Sequence, residues 1–499
     1  MSFDKLDELG RRLEALEHAQ AMLGVDEAVM MPSGGGERRA EAMSVLAGMM
    51  HEMATAPEVA DWLAAAEEQD LDAMQQRAVA EFGRVHTNMT CLTGDFVRRQ
   101  VKARMRAEQL WRELRPRGDW AGFLTAFEQV VATAREEAQL RAEATGLAPY
   151  DAMMDQYDPG NRVADIAPVF ARLSAFLTDF VPEALEAQAL RYTARPARPL
   201  SGHFPIARQK ALGMAMMEAL GFDFAHGRLD VSHHPFCGGV PSDVRMTTRY
   251  DTTDFLSALM GTLHETGHAL YEQGLPADWS HWPVGRARGM AFHESQSLFV
   301  EMQLARSPEF WAWGMPLLGE HLGAEAVADW TIEDILAQVH RIERGLIRVD
   351  ADEATYPLHV ILRFELEQGL IGGTLSPADV PEAWDAGMQA SLGLSTIDDP
   401  GNGPMQDVHW PSGAFGYFPS YTQGALIAAQ LRAAMARDIP DLAEHIRTGR
   451  FVAINDWRRE KIWSRASTLS TPDLLVAATG EPLNPTYFED HLKARYLGA

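Results

Sequence analysis

The stretch from Phe255 to Glu272 constrains this chain more than any other. Phe255, Leu256, Leu259, Met260, Leu263 and Leu270 recur at helical spacing, so the sequence predicts a helix with an apolar stripe. Within it stands Leu263-His264-Glu265-Thr266-Gly267-His268. Histidines four positions apart lie about 40° apart around a helix, so both imidazoles reach one cation. Glu265, about 100° round from His264, does not easily join the same ligand set but reaches a water beside the cation, where a general base is needed. Gly267 costs a helix about 1 kcal/mol relative to alanine, a cost that close approach of another segment would explain. The plainer alternative is a surface helix with two exposed histidines, and three fixed residues in five do not decide between them.

A hydrolytic zinc site has three protein ligands and one open position, so a third residue must join the histidines. Glu294 is the expected one. A helix predicted from about Arg286 carries it and continues apolar through Leu298, Phe299, Met302 and Leu304, and Gly274, Pro276 and Pro283 let that helix return antiparallel. The ordinary place for a lone helical glutamate is a solvated face, and only the neighbouring histidines argue otherwise.

The rest of the chain predicts a mainly α fold. Leu6, Leu9, Leu13 and Leu16 set a helical period, and runs at 57–68, 71–90, 94–114, 119–145 and 164–191 are rich in good helix formers. Segment 193–202, with two Arg-Pro pairs, reads as a linker, which places an expected subdomain edge near 193–205. Two strand candidates, 228–236 and 244–250, flank a turn-rich Cys-Gly-Gly-Val-Pro-Ser-Asp and predict a β-hairpin before the histidine helix. A long loop, 398–419, carries too many aromatics for a connector.

A formal charge of −26, from 70 acids against 44 bases, argues against nucleic acid or an anionic membrane as partner. Two cysteines, Cys91 and Cys237, are too few for a disulfide framework, so a reduced cytoplasmic setting is expected. Neither an export signal nor a membrane span is read from the sequence.

Six motifs occur in one order: His234-Pro235-Phe236; Asp243-Val-Arg245-Met-Thr247; His264-Glu265-Thr-Gly-His268; His293-Glu294-Ser295-Gln296; Ile347-Arg348-Val-Asp-Ala351-Asp352; and Gly403-Pro-Met-Gln406-Asp407-Val-His409-Trp410. Together, from about Met31 to Tyr421, the chain resembles the carboxypeptidase Taq family of zinc-dependent exopeptidases. The resemblance implies one catalytic domain over 1–499, a large helical metallopeptidase body with a deep groove, and release of single amino acids from peptides with a free C-terminus. It also implies zinc, replaceable by cobalt or manganese, and a homodimer.

On this resemblance Glu265 activates water and passes the proton to the leaving amine. Arg348 lies in a motif used for substrate recognition and would hold the terminal carboxylate, because a guanidinium binds both oxygens. Read without the family, Arg348 and Asp352 would be an ordinary ion pair four apart on a helix. Arg245 is the competing assignment, unless it merely stitches the hairpin to Asp243. His234 matches the family and is expected near substrate. His409 and Tyr417 would stabilise the developing oxyanion, with Tyr421 as rival, from a loop whose glycines would let it move as a lid. Asp352 and Asp407 are candidates to orient the ligand histidines. Leu298 stands where many relatives are expected to carry a basic residue. Two other readings remain: an oligopeptidase or dipeptide-releasing enzyme of the same architecture, and a helical scaffold with a structural metal.

Overall fold

The alanine- and leucine-rich runs form helices where their propensities direct. Pro57–Glu67, Ala73–Thr90, Gly94–Leu114 and Trp120–Thr145 follow one another with short breaks. This is a computed structural model that describes every residue except His234 and Ala499. Local chemistry sets the helix ends. Asp72 caps Ala73–Thr90 by accepting from the Gln75 N–H at 2.8 Å, while the Gln75 side chain accepts from the Asp72 N–H at 3.0 Å. Gly146, at φ 74°, ends Trp120–Thr145 in a left-handed turn. No helix among the described residues is long and apolar enough to cross a membrane.

Two large hydrophobic clusters make the core. One surrounds the histidine helix, Phe255–Gln273, and includes Met216, Tyr271, Trp311 and Trp463. The other joins Trp120–Thr145, Val163–Ala194 and Tyr356–Gly372, with Trp384 and Trp410. The helix Pro419–Asp438 belongs to both, giving Ile427 and Leu431 to the first and Leu426 and Ala429 to the second. The linker-like segment runs between Val163–Ala194 in one cluster and Ile206–Ala219 in the other. Burial on both sides fixes Pro419–Asp438, and the groove floor is built against it.

The sheet differs from the expected hairpin. It has three strands in the order β1-β3-β2, with β1 Gly227–Val231, β2 Phe236–Val240 and β3 Asp243–Thr248. The two anticipated strands do pair, but in parallel, with Arg228 opposite Arg245. The stretch read as a turn is largely β2, antiparallel to β3 with Cys237 opposite Met246. Its Gly-Gly marks close packing: a Cβ on Gly239, at φ 88°, would lie 2.2 Å from the Asp243 carbonyl oxygen. His233 lies in the bend after β1, outside any strand, and His234 falls outside the described residues.

Candidate metal centre and substrate groove

The histidine helix spans Phe255–Gln273 and is capped by Asp254, whose side chain accepts from the N–H groups of Leu256 and Ser257. It ends at Gly274, where a Cβ would lie 2.4 Å from the Trp463 ring. After two short 3-10 turns, Gly289–Leu298 packs across it. Gly267 allows the crossing. A Cβ there would lie 2.3 Å from the Gln296 carbonyl oxygen and 2.5 Å from Ser297 Cα.

That contact sets Glu294 against the histidines. Glu294 Oε2 is 3.5 Å from His268 Nε2 and 4.0 Å from His264 Nε2. The three donor atoms lie within 4.8 Å of one another, a grouping that could hold a metal ion. Ligand atoms about 2.1 Å from a tetrahedral cation stand roughly 3.4 Å apart, so the residues fit such an ion with little adjustment. Gly424, in Pro419–Asp438, makes room behind Glu294: its Cβ would be 2.7 Å from Glu294 Cγ.

Carboxylates orient both imidazoles. His264 Nδ1 is 2.9 Å from Glu301 Oε2, and Glu301 is held by Arg306 at 2.8 Å. His268 Nδ1 is 2.6 Å from His293 Nδ1, whose Nε2 is 2.7 Å from Glu272 Oε1. Read from its anionic end, this row makes His293 donate to Glu272 and accept from His268, leaving His268 Nε2 with a free lone pair. Burial disfavours charge on His264, but Glu301, Glu294 and Glu265 outweigh it and push its pKa up to about 10, so a cation would take the place of that proton. Burial, assisted by His293 and His264, brings His268 down to about 4 and keeps it neutral. Burial also raises the pKa of Glu265, with Glu294 adding to the effect.

The roles of Glu301, Glu272 and His293 emerge only from the structure. His293 stands in a quoted motif and Glu272 follows His268 by one helical turn on the same helix, so spacing offered a signal for both. Glu301 offered less, because it sits in a π-helical turn, Phe299–Leu304, that continues Gly289–Leu298 with a changed period. Asp352 and Asp407 do not serve the histidines. Asp352 caps the turn into Tyr356–Gly372 by accepting from the N–H groups of Ala354 and Thr355. Asp407 is shared by Arg348 and Arg363.

The cluster lies in a cavity of about 970 Å³ lined also by Phe236, Cys237, Arg348, Tyr356, Tyr417 and Tyr421. Arg348 starts a short 3-10 turn, Arg348–Asp350, so the anticipated helical pair with Asp352 does not form. Its Nη2 donates to Asp407 at 2.8 Å and its Nη1 to Tyr356 Oη at 2.5 Å. Arg363, fully buried, donates to the other Asp407 oxygen at 2.5 Å. Two guanidiniums against one carboxylate leave this triad with one excess positive charge, and Asp350 of the same turn also lines the cavity.

Arg245 lies outside this lining and grips Asp243 through two hydrogen bonds of 2.5 and 2.7 Å. Tyr417 and Tyr421 face the cavity, whereas His409 stands behind Tyr421, its Nε2 3.2 Å from the phenol. Burial, with Arg348 and Arg363 adding to it, lowers the pKa of His409 to about 4, so it is a neutral imidazole. The loop that carries these groups is fixed rather than mobile. Glu367 accepts from Trp410 Nε1 and the Gly416 N–H at 2.8 Å each, and Trp410, Phe415 and Phe418 are buried.

A helical body with two histidines and a glutamate converging on one point, a desolvated carboxyl beside them and a net-positive triad on the groove wall define the class: a metallopeptidase. The chain belongs to the carboxypeptidase Taq (M32) metallopeptidase family, whose pattern matches residues 5–496. It is similar to thermostable carboxypeptidase 1 of Thermus thermophilus, 36% identical over 99% of this chain and 98% of that protein. Carboxypeptidase 1 of Bacillus subtilis is 32% identical over 98% and 97%. Among solved structures, Trypanosoma cruzi metallocarboxypeptidase 1 superposes with a TM-score of 0.94 at 38% identity, covering 99% of each chain. The chain is thus a metallocarboxypeptidase with the mainly α fold anticipated from its sequence, and the oligopeptidase and scaffold readings are not favoured.

Proposed function

We propose that this metallocarboxypeptidase uses zinc, held by His264, His268 and Glu294, to release single amino acids from peptides with a free C-terminus. The observation that carries the reading is the convergence of the three donor atoms beside Glu265 in a groove that also holds Arg348. When bound, zinc supplies a Lewis acid that polarises the scissile carbonyl and acidifies water, and cobalt or manganese suits the same donors.

The chain's own residues do the rest. Glu265, its pKa raised by burial, takes the proton from the attacking water and returns it to the leaving amine. Arg348, with Arg363 behind Asp407, holds the terminal carboxylate, which places the last peptide bond at Glu265. Tyr417 and Tyr421 face the groove and can donate to the developing oxyanion, while His409 positions Tyr421. Arg245 serves the sheet through Asp243 and has no part in the reading, and His234 retains only the support of its motif. Homodimeric assembly and a cytoplasmic location rest on the family pattern and the low cysteine usage.

The test is digestion of one peptide in free and C-terminally amidated form, followed by mass spectrometry. The free peptide should shorten one residue at a time and the amide should stay intact; equal cleavage of both would refute carboxylate recognition. Glu265→Gln should retain the metal and lose at least about 10²–10⁴-fold in kcat, the usual worth of a general base.

A further inference from the structure

A second cavity, of about 520 Å³, opens between the helices Ala73–Thr90 and Trp120–Thr145 and the segment 467–470, and shares no lining residue with the catalytic groove. We propose that it binds a small, multiply charged oxyanion of the phosphate type.

Charge is the first argument. Arg77, Arg84, Arg162 and Arg288 line the cavity against two carboxylates, Glu81 and Asp155. Four cations facing two anions are out of keeping with a chain of formal charge −26. Each carboxylate is already divided. Glu81 lies 2.8 Å from Arg84 and 3.3 Å from Arg288, and Asp155 lies 2.8 Å from Arg162 and 3.9 Å from Arg84.

Unmet hydrogen bonding is the second. Arg288 is 2% exposed, and its Nη2 donates to the Ser467 carbonyl, yet its Nε has no partner. A buried guanidinium N–H without an acceptor is costly, so Arg288 is a cation on the cavity lining whose hydrogen bonding the surrounding protein does not complete. Burial, reinforced by Arg84 and only partly offset by Glu81, lowers the Arg288 pKa, as befits a cation short of counter-charge. Arg77, at the exposed mouth, makes no ion pair among the described residues.

Shape is the third. Arg84 and Arg162 have side chains 30% exposed, between the open Arg77 and the enclosed Arg288, so the guanidiniums form a graded path inwards. Ser470, the N-cap of Thr471–Thr479, completes the wall on the side opposite the arginines of Ala73–Thr90. Planar guanidinium forks match the oxygens of phosphate in pairs. Arg288 also precedes Gly289–Leu298, the helix that carries Glu294, so an occupant would sit at the foot of a metal-ligand helix.

The test is calorimetric titration of the metal-loaded protein with inorganic phosphate, and with sodium chloride at matched ionic strength. Phosphate should bind saturably and chloride should not. Arg77→Gln, at an exposed and unpaired residue, should weaken phosphate about five- to tenfold, as expected for losing one charge-assisted contact. Arg84→Gln combined with Arg162→Gln should abolish binding, and if that protein does not fold, Arg77→Gln alone decides. No saturable phosphate binding overturns the proposal. So does an unchanged affinity in Arg77→Gln, or binding that disappears only when the metal is stripped, which would place the anion in the catalytic groove.

Discussion

Replacing Gly267 by alanine tests whether the crossing of two helices builds the metal centre. A methyl at this position would begin 2.3 Å from the Gln296 carbonyl oxygen and 2.5 Å from Ser297 Cα, both backbone atoms that cannot swing aside. Real Cβ contacts essentially never fall under 3.0 Å, so the helices must part by at least about 0.7 Å. Alanine gains about 1 kcal/mol of helix propensity, whereas overpacking costs about 1–3 kcal/mol, so the net loss of stability is modest. At roughly 2 cal/mol/K per residue, a loss of that size moves the midpoint of a chain this long by no more than about two degrees. The metal is the sensitive readout. Glu294 is two residues from the displaced Gln296, and metal–ligand distances tolerate only about 0.2 Å. The variant should therefore bind zinc at least about tenfold more weakly in a competitive chelator titration and lose activity in parallel, while remaining helical by circular dichroism. Wild-type zinc affinity would refute the account of Gly267.

Three further outcomes follow from the same geometry. Glu301→Gln removes the charge that faces His264 Nδ1 at 2.9 Å and should lower zinc affinity about 10- to 100-fold by chelator competition, the usual cost of such a change. Arg348→Lys keeps the charge but loses the two-point grip on Asp407, so kcat/KM on free peptides should fall by at least about tenfold; an unchanged value would move carboxylate recognition elsewhere. Burial would raise the pKa of Glu353, but Arg495, at 2.6 Å, and His491 outweigh it and hold the carboxyl well below its ordinary value. Its stabilisation is therefore complete above the ordinary carboxylate value of 4.5 and is lost as pH falls through the lowered one; Glu353→Gln should destabilise the protein at pH 7 by about 3–5 kcal/mol in urea denaturation and flatten the acid limb.

The helices were legible because their pattern is local. Alanine, leucine, glutamate and arginine at helical spacing specify Gly94–Leu114 or Trp120–Thr145 without reference to the rest of the chain. The sheet was only half legible. Cys-Gly-Gly-Val carries the composition of a turn, and only the nearby Asp243 carbonyl shows that Gly239 is there to let two strands approach. Segment 348–352 misled for a related reason. Four-residue spacing suggested a helical ion pair, but Arg348 turns towards Asp407, which lies 59 residues away in sequence. A partner so distant leaves no periodic trace.

The site divides along the same line. His264, Glu265 and His268 were legible from one helix, because one turn of known geometry brings them together. Glu294 could be inferred because chemistry demanded a third donor and the intervening turn residues allowed the chain to return. The groups that hold those residues in place were harder to read. Glu301 reaches His264 only because the π-helical turn Phe299–Leu304 shifts its face, and neither spacing nor charge signals that shift in advance. The loop carrying His409 illustrates the converse. Its glycines suggested mobility, yet a Cβ on Gly416, at φ 84°, would lie 2.9 Å from the Met153 backbone, and its N–H donates to Glu367, so the glycine is there for close approach. With that loop packed in place, Tyr417 and Tyr421 stand over the groove before substrate arrives, so the oxyanion role proposed for them would need little reorganisation during the reaction.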